Sequence, residues 1–571
     1  MTGEQGWLTS WWHGAVVYQI YPRSFADADG DGMGDLRGII DHLDHIAGLG
    51  VDVIWLSPIY KSPQDDNGYD ISEYQDVDPV FGTLNDFDEL LTGVHSRGMK
   101  LVMDLVVNHS SDEHAWFVES RSGQDSPKRD WYWWRPAREG MEPGTPGAEP
   151  NNWGSVFGGS AWEYDPASRE YFLHIFSRKQ PDLNWENQQV RDAVYTMMNW
   201  WLDRGVDGFR MDVIDHISKD VSLPDGTMRP GSAYGEGGPH YLNGPRNHEF
   251  LHEMYEKVFA GRDAMLTVGE MPGVTVEEAV LYTDPARQEV DMVFQFDHVW
   301  VDRGPDPWLL YPFQLTKLKA IFGRWQAGLA EVGWNSLYWN NHDQPRVVSR
   351  FGDPLVHRER SAKMLGAVLH LHRGTPYIYQ GEELGMTNAP FRGIADFRDI
   401  EALGHYEQAV NHEGRSPEDV LTVLRARGRD NARTPMQWDA SPQAGFTTGE
   451  PWLAVNPNHS EINAAAEVKN PDSVYHFYRQ VIALRHEEPA VVYGDFQMLL
   501  PHDERLYAFT RTYGATSLLV IGNFSADTVR AGIDDAAAWS AAELLLTNAA
   551  APDDLTLQPW QVVIYRRPVR P

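Results

Sequence analysis

Eight short runs of apolar residues recur between positions 16 and 380, and most of them are separated by stretches of helical periodicity. The runs cover 16–20, 51–56, 101–107, 208–214, 265–270, 292–296, 336–340 and 375–380. Apolar runs of this length, flanked by glycine and polar residues, are typical of strands buried on both faces, as in a parallel sheet. The segments 36–49 and 87–97 space their apolar residues as helices do.

Eight strands alternating with helices predict an α/β fold, a (β/α)8 barrel of the TIM type. An open doubly wound sheet shares this alternation, but no glycine-rich phosphate loop follows the first strand at 16–20. In a barrel the active site gathers at the carboxyl ends of the strands. Polar residues at those ends are therefore the candidates for chemistry.

Two long connections and a change of texture divide the chain. Residues 110–183, rich in Trp, Gly, Pro and Asn, predict a small inserted domain after strand 3, since so long a connection is usually functional. A charged, partly helical excursion at 384–444 follows strand 8 and suggests a wall over the barrel mouth. Residues 489–571 alternate short apolar runs with turns, which predicts a C-terminal antiparallel β-sandwich domain. The catalytic barrel is expected to comprise 1–109 and 184–488.

Composition limits the partners. The 571 residues include 48 Lys and Arg against 82 Asp and Glu, and the net charge of −34 argues against nucleic acid and anionic membranes as partners. A neutral or cationic small ligand is expected instead. The sequence has no cysteine, which excludes disulfides and thiolate metal sites.

The same features bear on location and assembly. Residues 1–12 do not read as a signal peptide, and no segment approaches the roughly 20 apolar residues that span a bilayer. We therefore expect a cytoplasmic protein. Its oligomeric state stays open between a monomer and a weak homo-oligomer.

Four segments place charged or imidazole side chains at the ends of predicted strands. They are 101–109 (LVMDLVVNH), 208–212 (GFRMD), 266–270 (LTVGE) and 336–343 (SLYWNNHD). Carboxylates, histidines and an arginine that converge on one barrel mouth are typical of enzymes that cut glycosidic bonds. Taken alone, one Asp at a strand end is more often a cap or a surface ion pair.

In order and spacing, these segments resemble the signature regions of the α-amylase superfamily, glycoside hydrolase family 13. The resemblance extends from 17–25 (VYQIYPRSF) to 429–438 (RDNARTPMQW), and the second motif is especially similar to oligo-1,6-glucosidases and related α-glucosidases. It implies a retaining, exo-acting α-glucosidase that needs no organic cofactor and takes a small oligosaccharide as substrate.

The resemblance also implies the catalytic roles. Asp212 would be the nucleophile, Glu270 the general acid and base, and Asp343 the carboxylate that holds the reacting sugar. Retaining cleavage requires the first two carboxyl groups to lie about 5 to 5.5 Å apart. Arg210 lies two residues before Asp212, so it points to the same face of the strand and can keep that carboxylate ionised.

The substrate contacts follow from matching positions. The residues implied are Asp66, Tyr69, His109, Phe176, Gln180, Arg210, Val213, His342 and Arg429. Asp66 and Arg429 would close the cleft beyond one terminal glucose, which implies exo action. Both histidines would donate to sugar hydroxyls, with a buried histidine satisfied by backbone as the alternative. For Phe176, a core role is the alternative to a wall on the aglycone side.

The linkage preference depends on one side chain. Val213 resembles the residue of α-1,6-acting members, and a β-branched apolar group there narrows the space for the second sugar without offering it a hydrogen bond. Such a contact discriminates by about 1 to 3 kcal/mol. We therefore predict isomaltose-type substrates. An α-1,4-preferring glucosidase and a sucrose- or trehalose-acting transferase or isomerase remain alternatives, although the stretch 299–305 departs from the loop of sucrose isomerases.

An acidic loop follows the first strand. Carboxylates at 27, 29, 31 and 35 have the spacing of an EF-hand, but Gly38 stands where the bidentate Glu would be. In related glucosidases this loop holds a structural Ca²⁺, which implies Asp27, Asp29, Asp31, Asp35 and the Met33 carbonyl as ligands. A solvated acidic turn is the alternative.

Overall fold

The computed structural model describes residues 10–228, 232–304 and 306–569. Eight parallel strands form its central sheet: β1 (Val17–Ile20), β2 (Val53–Leu56), β3 (Lys100–Val106), β4 (Gly208–Asp212), β5 (Leu266–Glu270), β6 (Met292–Phe294), β7 (Ser336–Tyr338) and β8 (Thr375–Tyr379). Each lies within two residues of a predicted strand. The stretch 299–305 is described except for Pro305, which lies outside these ranges together with residues 1–9.

The sheet closes on itself. The strand order is β6-β5-β4-β3-β2-β1-β8-β7, with every pair parallel. A parallel bridge between Val293 and Asn335 joins the two outermost strands. Closure leaves no open sheet edge, so the predicted (β/α)8 barrel is confirmed and the doubly wound alternative is wrong.

Helices cover the outside of the barrel between the strands. They span Leu36–Asp41, Leu43–Leu49, Leu84–Ser96, Gln188–Arg204, Asn247–Met254, Val276–Thr283, Leu315–Gly328, Val347–Phe351 and Arg358–His370. Local sequence sets their ends. Thr83 and Asp86, for example, form a capping box in which each side chain accepts the other's backbone N–H, so the free amides of the first turn are satisfied.

The inserted region contains a helix at Ala115–Arg121 and a three-stranded antiparallel sheet of Trp134–Pro136, Trp162–Asp165 and Glu170–Leu173. A buried cluster that includes Trp133, Trp153 and Trp162 forms its core. These tryptophans make the region that was predicted as a small inserted domain a packed unit beside the barrel mouth.

Between β8 and the C-terminal sheet, the chain forms several helices, and the first part of this stretch lies at the barrel mouth. Its helices span Ile400–Tyr406, Pro417–Arg427, Asp430–Arg433, Ala464–Lys469, Val474–Glu487 and Pro489–Tyr493. The last of these lies where the C-terminal domain was predicted to begin, and the sheet itself starts at Asp495.

The C-terminal sheet is antiparallel, as predicted. Its strands are β9 (Asp495–Leu499), β10 (Leu506–Tyr513), β11 (Thr516–Asn523), β12 (Glu543–Thr547) and β13 (Val562–Pro568), in the order β9-β10-β11-β13-β12. A two-stranded ladder of Val529–Arg530 with Thr556–Leu557 packs against it over a separate apolar core. Within the described residues, no helix is long and apolar enough to cross a membrane.

Candidate active site

Arg210, Asp212 and Glu270 meet inside the barrel at the carboxyl ends of β4 and β5. All three are buried. Arg210 Nη1 lies 2.9 Å from Asp212 Oδ1, and its Nη2 lies 2.6 Å from Glu270 Oε1. Alternation along β4 puts residues 210 and 212 on one face. One guanidinium thus holds both predicted reacting carboxylates side by side.

A third carboxylate, Asp104 on β3, completes the arginine's surroundings. Arg210 Nη1 donates to Asp104 Oδ1 at 2.7 Å. The other oxygen of Asp104 accepts from Tyr69 Oη at 2.9 Å and from Trp55 Nε1 at 3.1 Å. Asp104 therefore fixes Arg210 and Tyr69 together from below. Asp104 had no predicted role; a carboxylate inside the apolar run of the segment 101–109 is the sequence signal that could have pointed to it.

Burial and nearby negative charge act against full ionisation of the reacting pair. Burial raises the pKa of Asp212 and of Glu270 above their ordinary values, and Arg210 opposes this shift in both. The charge of Glu270 raises the pKa of Asp212 further, and that of Asp343 does the same to Glu270. Carboxylates so close cannot all ionise freely. The arrangement suits one ionised and one protonated member.

Val213 has an unusual backbone. Its φ of 36° and ψ of 45° lie in the left-handed region, where a β-branched residue is a genuine outlier. In this conformation its N–H donates to Glu270 Oε2 at 3.1 Å. Strain of this kind is held where the surroundings fix it. The residue predicted to set linkage preference thus also orients Glu270.

Asp343, after β7, is surrounded by cationic and imidazole groups. Arg433 Nη2 lies 2.8 Å from Asp343 Oδ1, and Arg429 Nη1 lies 3.2 Å from the same oxygen. His342 Nε2 is 3.3 Å from Asp343 Oδ2. Burial alone would raise the pKa of Asp343, but His342, Arg429 and Arg433 outweigh it and hold that pKa well below its usual range. Asp343 is therefore ionised.

The ring of His342 is fixed on both faces and at one edge. Tyr69 stacks on it with ring centroids 5.0 Å apart and 3° between the planes, and Tyr21 stacks at 5.8 Å and 12°. Gln19 Nε2 lies 2.9 Å from His342 Nδ1. Because an amide nitrogen can only donate, Nδ1 accepts and the proton is on Nε2. Burial lowers the pKa of His342 to about 3, so the ring is neutral.

The excursion after β8 forms one wall of the site. Arg429 Nη2 reaches Asp66 Oδ1 at 3.4 Å and Asp399 Oδ1 at 2.5 Å. Gln180 Nε2 donates to the other oxygen of Asp66 at 3.1 Å. Burial raises the pKa of Asp66 to about 7, although Arg429 and Arg433 act in the opposite direction. Elements far apart in sequence therefore meet around Asp66.

His109 lies beside Gln180, whose Nε2 is 3.2 Å from His109 Nε2, and Phe176 packs against His109. His109 Nε2 is 3.1 Å from the carbonyl oxygen of Tyr69 and its Nδ1 is 3.2 Å from Asn108 Nδ2. Phe176 is half-buried, with its ring 5.3 Å from that of His109. It also packs on the core of the inserted region, so both readings of Phe176 fit its place. The structure thus brings all twelve predicted catalytic and substrate residues to one end of the barrel.

Several residues of the site had no predicted role. They are Gln19, Tyr21, Trp55, Asp104, Phe157, Asp399 and Arg433. Arg433 lies one helical turn after Arg429 in the quoted motif 429–438, a spacing that could have pointed to it. Phe157, 5.2 Å from the Arg429 guanidinium carbon, lies in the inserted region without any comparable sequence signal.

The acidic loop after β1 gathers part of the predicted ligand set. Oxygens of Asp27, Asp29 and Asp35 lie within 4.8 Å of one another. Asp31 lies outside this group and accepts the N–H of Met33 at 2.7 Å. Among the residues described, none of these four aspartates pairs with a cationic side chain. Hard oxygen donors without a counter-charge fit a calcium ion.

A segment after the excursion holds this loop in shape. Asp27 Oδ2 accepts from Thr447 Oγ1 at 2.5 Å, and the N–H of Trp452 donates to the Gly32 carbonyl at 3.0 Å. A Cβ atom at Gly32, whose φ is +96°, would lie 1.9 Å from the carbonyl oxygen of Glu450. Glycine is required there by both conformation and space.

Known proteins share both the sequence and the fold. The model of the alpha-amylase catalytic domain matches residues 19–494. The chain is 55% identical to the oligo-1,6-glucosidase of Parageobacillus thermoglucosidasius, over 97% of this chain and 99% of that protein. It is 49% identical to the trehalose-6-phosphate hydrolase of Bacillus subtilis, over 98% of each.

Solved structures agree. The isomaltulose synthase PalI of Klebsiella sp. LX3 superposes with a TM-score of 0.93 at 42% identity, covering 98% of this chain and 99% of that one. The trehalose-6-phosphate hydrolase TreA of Bacillus licheniformis gives 0.91 at 46%, covering 98% and 100%. Both the full-length match and the buried carboxylates at the barrel mouth lead to one conclusion: the chain belongs to the alpha-amylase family and is a glycoside hydrolase of its oligo-1,6-glucosidase and α-glucosidase group.

Proposed function

We propose that this enzyme is a retaining, exo-acting α-glucosidase that removes terminal glucose from isomaltose and short isomalto-oligosaccharides. The observation that carries the proposal is the pair of carboxylates, Asp212 and Glu270, held on the two terminal nitrogens of Arg210. Two carboxyl groups held side by side at the carboxyl ends of β4 and β5 suit attack and protonation on one glycosidic bond.

In the first step, Asp212 attacks the anomeric carbon while Glu270 protonates the leaving oxygen. Burial raises the pKa of Glu270, which favours the protonated acid that this step needs. Burial raises the pKa of Asp212 too, and the charge and hydrogen bond of Arg210 oppose that shift and favour the ionised nucleophile. The N–H of Val213 holds Glu270 Oε2 in place. The products are a covalent glucosyl-enzyme and a released sugar.

In the second step, ionised Glu270 takes a proton from water, whose oxygen attacks the anomeric carbon and displaces Asp212. Arg210 stabilises the carboxylate that leaves. The ionised Asp343 would grip the sugar hydroxyls through both steps, together with the Nε2–H of His342. The reaction regenerates both carboxyl groups in their starting states.

Exo action follows from the wall beyond the pocket. Asp66 and Arg429, joined at 3.4 Å and braced by Asp399 and Gln180, stand where a second sugar on the non-reducing side would lie. Hydrogen bonds to charged groups contribute about 1.5 to 3 kcal/mol each, so these side chains would also select for a terminal glucose.

The test is product analysis with isomaltose, maltose, sucrose, trehalose and trehalose 6-phosphate, with Asp212→Asn as the control without a nucleophile. We expect glucose from isomaltose at the highest kcat/KM and a loss of about 10³-fold or more in the control. In Val213→Thr, the ratio of maltose to isomaltose hydrolysis should rise by about 10-fold. Faster hydrolysis of maltose by the parent enzyme would contradict the linkage assignment.

A structural calcium ion is part of the proposal. Asp27, Asp29 and Asp35 would hold it, and the ion would neutralise a loop whose carboxylates otherwise repel one another. Burial raises the pKa of Asp35, and the negative charges of Asp27 and Asp29 raise it further. The loop contains none of the reacting carboxylates, so the ion would stabilise the fold and take no part in the reaction.

We also propose that the enzyme acts in the cytoplasm as a monomer or weak homo-oligomer. A chain without cysteine gains nothing from an oxidising compartment, which supports this location. Cell fractionation tests the location, and light scattering at several protein concentrations tests the assembly. Recovery of the activity outside the cell would contradict the first statement.

A further inference from the structure

Two of the predicted substrate residues, Asp66 and Tyr69, are the first and last residues of one tight turn. The N–H of Tyr69 donates to the carbonyl oxygen of Asp66 at 3.1 Å. The two residues between them have positive φ, 50° at Asn67 and 104° at Gly68, as a type I′ turn requires. An Asn-Gly pair adopts this turn readily. The local sequence therefore fixes the shape of the turn but not its place at the barrel mouth.

A buried arginine shortly after β1 ties this turn to the barrel. Arg23 Nη1 donates to Asn67 Oδ1 at 2.8 Å, and its Nη2 donates to Gln64 Oε1 at 2.5 Å. Gln64 lies two residues before Asp66, and its φ of 66° is also in the left-handed region. One guanidinium thus holds the side chains on both sides of Asp66.

Folding stability alone does not explain this arginine. Arg23 is 7% exposed, and among the described residues its guanidinium bonds to neutral amide oxygens and lies 4.9 Å from the ring centre of Trp452. Burial lowers the pKa of Arg23, and the charges of Asp70 and Asp78 offset this shift only in part. Burying a cation that bonds to no carboxylate opposes folding. The contacts with the turn are the gain that offsets this cost.

Asp70 holds a different part of the turn. Its two oxygens accept the N–H of Asp65 at 2.9 Å and that of Asp66 at 3.1 Å. These bonds fix the backbone on the N-terminal side of the turn. They do not reach Asn67, whose side-chain oxygen bonds to Arg23. The corner of the turn is therefore left to the arginine.

Asp66 is the substrate residue most open to displacement. Its carboxylate contacts Gln180 at 3.1 Å and Arg429 at 3.4 Å, near and beyond the long end of the usual hydrogen-bond range. Tyr69 is held separately, by a 2.9 Å hydrogen bond to Asp104 and by its stacking on His342. The position of Asp66 thus depends on the turn beneath it more than that of Tyr69 does.

We propose that Arg23 is a positioning residue for glucose recognition, which sets the place of Asp66 at the barrel mouth by holding Gln64 and Asn67. The inference rests on the proposed function in taking Asp66 as a contact of the terminal glucose. It concerns only the glucose end of the substrate, so it does not depend on which linkage the enzyme cleaves.

The test is a double-mutant cycle of Arg23→Met and Asp66→Ala, measured by the inhibition constant of glucose and by kcat/KM for isomaltose and p-nitrophenyl α-glucoside. Arg23→Met should raise the inhibition constant about 10-fold and lower both kcat/KM values by a similar factor, because both substrates share the terminal glucose. In the Asp66→Ala background, the same change should alter these values by no more than about 2-fold. Independent, multiplying losses would show a purely structural arginine and overturn the proposal.

Asn67 offers a matched pair of variants, which serves if Arg23→Met does not fold. Asn67→Asp keeps an acceptor oxygen and suits the same turn, so the glucose inhibition constant should stay within about 2-fold of the parent value. Asn67→Gly also accepts a positive φ but removes the acceptor, so the constant should rise by about 5-fold or more. Equal constants for the two variants would overturn the proposal.

Failure of the proposed function gives a different result from failure of this inference. An enzyme that prefers maltose refutes the linkage assignment, while the cycle with glucose still reports on Arg23. If Asp66→Ala weakens glucose binding but Arg23→Met does not, the inference alone is overturned. If Asp66→Ala binds glucose as the parent enzyme does, Asp66 is no contact of the glucose, and both the exo wall and the role of Arg23 are refuted.

Discussion

Asp212 and Glu270 are arranged for reaction at the expense of folding stability. Both are buried beside other carboxylates, and both have pKa values raised above those of the unfolded chain. A group whose folded pKa is raised contributes stability below its unfolded pKa, near pH 4, and loses that contribution as pH rises through the folded value. At neutral pH the site therefore opposes folding.

Asp212→Asn should consequently be more stable than the parent enzyme near pH 7, by on the order of 1 kcal/mol or more, and nearly inactive. The gain should shrink toward pH 4, because the parent's carboxyl groups are protonated there. Thermal denaturation of both proteins between pH 4 and pH 8 measures this difference. Asp220→Asn, at a partly exposed carboxylate whose pKa is lowered by its hydrogen bonds with Ser222, is a matched control without a stability gain at neutral pH. A pH-independent difference would contradict the argument.

Arg433 had no predicted role, and its partner in the site lies far along the chain. Asp343 and Arg433 are separated by 90 positions and meet at 2.8 Å. Nothing local to either residue encodes that contact, since it depends on how the excursion folds back. Asp212 and Glu270 could be predicted from the sequence, because each residue ends an apolar run and the barrel brings all strand ends together.

At the scale of elements, the sequence predicts the strands of the barrel. For the inserted region and the excursion 384–444, it gives only their positions along the chain. Buried parallel strands are near-continuous apolar runs, so the pattern marks them directly. The inserted region and the excursion 384–444 show no such continuous apolar runs. The way each of them lines the barrel mouth depends on single contacts. Phe157 against Arg429 is one such contact. The short apolar runs that begin near residue 489 do belong to a C-terminal β domain, but a helix, Pro489–Tyr493, precedes its sheet.

The acidic loop gives the prediction that belongs to this scale. A calcium ion on Asp27, Asp29 and Asp35 would brace the β1 end against the segment 446–452, which already bonds to Asp27 and Gly32. Chelation should therefore lower the melting temperature by several degrees, and added Ca²⁺ should restore it, while kcat measured well below that temperature stays unchanged.

Asp29→Asn is the informative variant, because Asp29 is exposed and makes few other contacts. It should weaken the ion and lose most of the calcium-dependent stabilisation. The matched control is Asp41→Asn, an exposed carboxylate of the neighbouring helix that lies outside the loop. An ion absent from elemental analysis of the untreated protein, or a melting temperature indifferent to chelator, would refute the site.

At the scale of the whole molecule, the net charge of −34 acts on both stability and substrate encounter. Like charges on one compact body repel, and salt screens them over a Debye length that falls from about 30 Å at 0.01 M to about 8 Å at 0.15 M. Added potassium chloride should raise the melting temperature in the presence of excess Ca²⁺, which keeps the loop saturated.

The same field separates a neutral substrate from a phosphorylated one. Isomaltose carries no charge, so its kcat/KM should change by less than about 2-fold between 0.01 and 0.2 M salt. An anionic disaccharide phosphate would be repelled at low salt, and its kcat/KM should rise as salt screens that repulsion. Parallel kinetics with isomaltose and trehalose 6-phosphate, at constant Ca²⁺, decide between them. A strong salt dependence of kcat/KM for isomaltose would show that the negative field acts on the active site itself and not only on the approach of the substrate. That result would contradict the assignment of a neutral glucoside as the substrate.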